Sequence, residues 1–135
     1  LDTTDPAEGG QSLKVSKTSG QAAQFVRGDF IPVIPGAKYR ISAYARGENI
    51  VAGTSGWHRL YIIGRWCDGQ SQSLTTNPFP DLQAIPVGTF DWGWFGQTYT
   101  APTNAVYFQA RDVGLIDASS SGTGWLDRIE FIRVE

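Results

Sequence analysis

Glycine and proline interrupt this chain at short intervals throughout its length, 16 and 7 of them in 135 residues. Both residues break helix interiors, glycine through backbone entropy and proline through its missing N–H. Between the breaks, apolar and polar side chains alternate at period two, the pattern of half-buried strands. The chain therefore reads as all-β. Seven stretches carry the pattern: SLKVS (12–16), AQFVRG (23–28), KYRISAYARG (38–47), WHRLYIIGRW (57–66), WFGQTYT (94–100), AVYFQARDV (105–113) and WLDRIEFIRV (125–134). Seven or eight strands of this kind predict two packed antiparallel sheets, a β-sandwich of jelly-roll type. The length suits one domain spanning residues 1–135.

Alternation assigns faces as well as strands. Tyr39, Ile41, Ala43 and Ala45 point inward, and Arg40, Ser42, Tyr44 and Arg46 point outward. Val106, Phe108 and Ala110 likewise point inward, which turns Tyr107, Gln109 and Arg111 out. The stretch from Trp57 to Trp66 reads in either phase. Taking Leu60, Ile62 and Trp66 as core exposes Trp57, Arg59, Tyr61 and Arg65. Residues 70–88, which hold Pro78, Pro80 and Pro86, and residues 114–124 read as long loops. Loops of that length in a small domain are often functional.

A formal net charge of -2 gives no field to attract phosphate backbones, so a nucleic-acid partner is not expected. No apolar run approaches the roughly 18 residues that span a bilayer, and the opening LDTTDPAEGG lacks the basic and apolar regions of a signal peptide. No membrane partner is expected either. The single cysteine, Cys67, forms no internal disulfide and has no companion for a cysteine zinc site.

Catalytic constellations are not apparent. The one histidine, His58, falls inside a predicted strand, and no G-x-S-x-G nucleophile pattern occurs. Asp5, Asp29, Asp68, Asp81, Asp91 and Asp117 lie near glycine or proline, where turn chemistry accounts for them without paired-carboxylate hydrolysis.

Binding is the better reading. Sugar rings present apolar C–H faces rimmed by hydroxyls, and a surface that holds them needs flat aromatic platforms beside planar hydrogen-bonding groups. The expected outer faces carry that mixture: Trp57, Tyr61, Trp94 and Trp125 as platforms, with Arg59, Arg65, Gln109 and Arg111 to read hydroxyls. Trp66 and Trp92 are aimed at the core instead. A sandwich whose rings are all packed, serving as a spacer or protein-interaction domain, is the alternative.

Four segments in order, EGGQSLKVS, FIPVIPGAKYRISAYARG, DWGWFGQTYTAP and GWLDRIEFIRV, together resemble the β-jelly-roll carbohydrate-binding modules of the group that includes families four, nine, sixteen and twenty-two. The resemblance implies a non-catalytic, extracellular module of a secreted, usually bacterial, polysaccharide-degrading enzyme. The module would be linked covalently to a catalytic domain and bind a polysaccharide on a concave sheet face or at its rim. Neutral β-glucans, mannans or glucomannans are the ligands it favours. It also implies that Trp92 packs inside and that Asp127 helps to hold a structural calcium ion, with Glu8 standing in for ligands of a first strand that is short or missing here.

Overall fold

The computed structural model describes residues 13–20, 24–54, 60–75, 79–115 and 119–134, and every regular element among them is a strand. There are eight: β1 (Leu13–Lys17), β2 (Gln24–Val26), β3 (Phe30–Pro32), β4 (Lys38–Val51), β5 (Leu60–Cys67), β6 (Gly88–Thr100), β7 (Tyr107–Leu115) and β8 (Ser121–Arg133). All pair antiparallel. One sheet has the order β1-β8-β4-β6, and β7 is the hub of the other, pairing with β2, β3 and β5. The all-β sandwich expected from the period-two pattern is the fold. Strand limits differ: β3 falls where no strand is expected, β6 starts at Gly88, and β8 starts inside the expected 114–124 loop.

The inner faces meet in one core. Tyr39, Ile41, Ala43 and Ala45 of β4 are buried there, as their alternation requires. Leu60, Ile62 and Trp66 of β5 join them, which resolves the phase of that strand. At the centre, rings from the two sheets lock together: Phe131 of β8 stacks face to face on Phe108 of β7 at 3.7 Å and on Tyr39 at 4.9 Å. Trp66 meets Phe108 and Phe131 edge-on at 6.1 and 6.2 Å. Large buried rings of this kind dominate the energetics of a core.

Two bulges correct the simple alternation. On β7 the ladder to β5 shifts between Asp112 and Ala110, leaving Arg111 as the extra residue. Phe108 and Ala110 face the core before the shift, Val113 and Leu115 after it. A bulge inserts one residue and so reverses the parity beyond it. Val106, expected inside, is exposed, and its N–H donates to the Cys67 carbonyl while Ala105 takes the buried position. On β8, Arg128 adopts φ 47° where the ladder to β4 shifts between Ser42 and Tyr44, so Asp127 and Glu130 both lie on the outer side.

Trp92 is half-buried and lies outside the core; the rings that β6 packs inward are Phe90, Phe95 and Tyr99. Ala45 pairs with Gly93 and Tyr44 with Trp94, but the ladder shifts between Ala45 and Gly47 and again between Gly47 and Ile50. Asp91 and Trp92 stand opposite Arg46 alone, so Trp92 lies in a bulge and period two no longer aims it inward.

Candidate functional site

The described candidates divide between the two outer faces of the sandwich, which point in opposite directions. Trp94, Trp125 and Asp127 belong to the four-stranded sheet. Arg65, Gln109 and Arg111 belong to the β7-centred sheet. One glycan chain cannot lie along both. Trp57, Arg59 and Glu8 lie outside the described residues.

On the four-stranded sheet, Trp125 is only 5% exposed, with the Arg46 guanidinium 4.6 Å and the Lys14 ammonium 5.5 Å from its ring centre. Cation–π packing therefore covers the ring expected to be a platform. Trp94 is 48% exposed. Its indole lies across Gly96, where a β-carbon would come within 2.5 Å of the ring, and the Arg40 guanidinium sits 5.4 Å from the ring centre. A single exposed ring is normal on a soluble domain. Asp127 pairs with Tyr44 across the ladder, and its Oδ1 accepts the Arg128 N–H at 2.7 Å. No three acidic, histidine or cysteine side chains gather as a metal site among the described residues.

The opposite face is organised differently. Arg65 Nε donates to Gln109 Oε1 at 2.7 Å, and Gln109 Nε2 donates to the Gly28 carbonyl at 3.0 Å. Gln109 is thus an enclosed strut that fixes the guanidinium rather than a group that meets solvent. Arg65 also lies 5.6 Å from the centre of the Phe30 ring, which meets Tyr107 edge-on. Tyr61, expected to be exposed here, is fully buried; its ladder partner is Gly114, which has no side chain to lift the ring off the sheet.

Beside Arg65 the surface opens into a cleft of about 290 Å³, lined by Ile63, Arg65, Leu74, Phe79, Asp81 and Arg111 among others. That is close to the lower end of small-ligand pockets. The cleft's far wall belongs to the segment expected to be a loop. Leu82 exchanges backbone hydrogen bonds with Ile62 at 2.9 and 3.3 Å, and Leu82 and Ile85 are wholly buried. Asp81 Oδ1 accepts the Gly64 N–H at 2.8 Å, and the Asp81 carbonyl accepts the Tyr99 hydroxyl at 2.6 Å. Burial pushes the Asp81 carboxyl above the usual carboxylate range, against the opposing pull of its hydrogen bonds to Gly64 and Gln83.

The cleft therefore combines an apolar floor, one exposed aromatic ring in Phe79 and two guanidiniums on the paired strands β5 and β7. Sequence reasoning singled out both arginines, read Asp81 as a turn residue and did not single out Phe79. The signal for Phe79 was present: an aromatic ring between two prolines, Pro78 and Pro80, has little reason to be in a loop unless it packs or binds.

No known protein family's sequence pattern matches the chain, and no curated protein matches it. Solved structures do. The enzymatically active domain of bacteriophage CBA120 tailspike protein 4 superposes with a TM-score of 0.70 at 15% identity, over 98% of this chain and 17% of the tailspike chain. A CBM4 structure superposes with a TM-score of 0.57 at 17% identity, covering 95% of this chain and 74% of its own. Carbohydrate Binding Module-2 of family 16 gives 0.57 at 16% identity, covering 96% and 82%. The chain thus has the β-sandwich fold of carbohydrate-binding modules, and it spans only a small part of the tailspike domain.

Proposed function

We propose that this chain is a non-catalytic module that binds a β-linked polysaccharide, with one sugar unit seated in the cleft between β5 and the segment around Phe79. The observation that carries the reading is the cleft itself: Phe79, Ile63 and Leu74 offer apolar surface to C–H faces, and Arg65 and Arg111 offer donors to ring substituents. Gln109 pre-orients Arg65, which lowers the ordering cost of binding. The shared fold with CBM4 and family 16 modules supports the same reading. That the fold also occurs as 17% of a tailspike enzyme chain supports a module carried on a larger extracellular enzyme.

Affinity gel electrophoresis against β-glucan, glucomannan, xylan and a polyuronate, with and without a calcium chelator, tests the proposal. Retardation by at least one glycan, weakened in Phe79→Ala, is the expected result. Migration unaffected by every glycan would leave a structural spacer as the function. Loss of retardation on chelation would assign calcium a part in the fold or the site.

A further inference from the structure

Two arginines line one small cleft, and hydroxyls alone do not call for that much positive charge. Resting on the glycan-binding reading, we infer that the sugar unit seated between Arg65 and Arg111 carries a carboxylate, so that the ligand is an acidic, uronate-containing β-linked glycan. The neutral glucans and mannans favoured from the sequence would leave both guanidiniums with only hydroxyls to bond.

The local charge supports an anion. Arg65 and Arg111 line the cleft with one carboxylate, Asp81, while Asp112 lies next to Arg111 and Arg27. Asp112 is shared: its Oδ1 lies 3.3 Å from Arg27 Nε and its Oδ2 lies 3.8 Å from Arg111 Nε. Neither contact uses the terminal nitrogens of Arg111. Asp81 is turned to the protein, with Oδ1 on the Gly64 N–H at 2.8 Å and Oδ2 on Gln83 Nε2 at 3.4 Å. Burial also raises its proton affinity, which lessens its repulsion of a bound anion.

The geometry is of a kind suited to a carboxylate. Arg65 spends its Nε on Gln109, so its terminal nitrogens remain for the cleft. A guanidinium presents planar paired donors that match a carboxylate better than a single hydroxyl, and charge-assisted bonds of this type are about twice as strong as neutral ones. Apolar walls from Ile63, Leu74 and Phe79 reduce the competing water and strengthen the attraction. The net charge of -2 over the whole chain opposes unspecific capture of a polyanion, so a preference for acid must arise at the cleft.

The test compares ligands that differ only at C6. Oligomers of β-1,4-glucuronate are titrated against cello-oligosaccharides of equal length by calorimetry, and β-1,4-mannuronate oligomers against manno-oligosaccharides. The expected result is at least about tenfold tighter binding of the acid member of one pair, a preference that shrinks with added salt. Arg111→Gln, at an exposed position, should remove most of that preference by weakening binding of the acid member more than of its neutral counterpart. Equal or tighter binding of the neutral members overturns the inference and leaves glycan binding standing, as does an acid preference that survives Arg111→Gln. Binding of xylan alone has the same meaning. Failure of every glycan to bind overturns both readings.

Discussion

Gly64 is the narrowest joint between the scaffold and the cleft, and replacing it with alanine tests both. A β-carbon there would lie 2.0 Å from the Pro80 carbonyl oxygen and 2.9 Å from the Phe108 ring. The first contact is with backbone, so no rotamer change relieves it. Either β5 or the 79–82 segment must move by more than an ångström, and overpacking of that kind costs about 1–3 kcal/mol. If the segment peels away instead, the buried Gly64–Asp81 bond is lost, at about 1–3 kcal/mol. The two Ile62–Leu82 backbone bonds go with it at roughly 1 kcal/mol each, and Leu82 is exposed at about 1.5–3 kcal/mol. Peeling is therefore dearer than strain, and the expected loss is about 3 kcal/mol, near the top of the strain range. Urea unfolding followed by tryptophan fluorescence would read this as a lower midpoint, and a displaced Phe79 wall would weaken glycan retardation in the same variant. A midpoint and retardation both equal to the parent's would refute the packing argument.

Other outcomes follow from single groups. Burial raises the Asp81 carboxyl above its unfolded value, so folding favours its protonated form. That contribution is complete below the ordinary carboxylate value and is lost as pH rises through the raised one. The stability of the parent relative to Asp81→Asn, which keeps an oxygen for the Gly64 N–H, should fall from acid to neutral pH; a difference that does not vary with pH contradicts this. Cys67 is wholly buried, and burial pushes its thiol up despite the nearby Arg65. A thiol reagent at pH 8 should leave the native chain unlabelled and label it fully in urea, and prompt native labelling would be contrary. Trp94→Ala should change stability by no more than about 1 kcal/mol and leave glycan retardation intact, because the ring lies on the sheet opposite the cleft. Loss of retardation in that variant would move the site to the other face.

How far the sequence was legible depends on where alternation holds. Along β4 it holds from Tyr39 to Ala45, and the core side was readable residue by residue. On β7 it fails at Arg111, because a bulge is a property of the pairing and leaves no mark in one strand alone. Facing outward was also mistaken for being accessible. Trp125 is covered by Arg46 and Lys14, and Tyr61 is enclosed, although their parity points both away from the main core. Arg65 and Arg111 were legible as polar residues on strands, but only the folded 79–85 segment makes a cleft of them. Its hold on β5 comes from the Ile62–Leu82 backbone bonds and from Gly64 and Asp81, residues 17 apart whose contact no local pattern announces.

The most direct measurement is a ¹H–¹⁵N NMR titration of the labelled chain with a glycan that retards it, following backbone amides, arginine Nε–H and tryptophan indole N–H signals together. The account predicts shifts at Gly64, Asp81 and Phe79 and at the Nε–H of Arg65 and Arg111, with the Trp94 indole unmoved. A moving Trp94 indole beside silent cleft signals would contradict it.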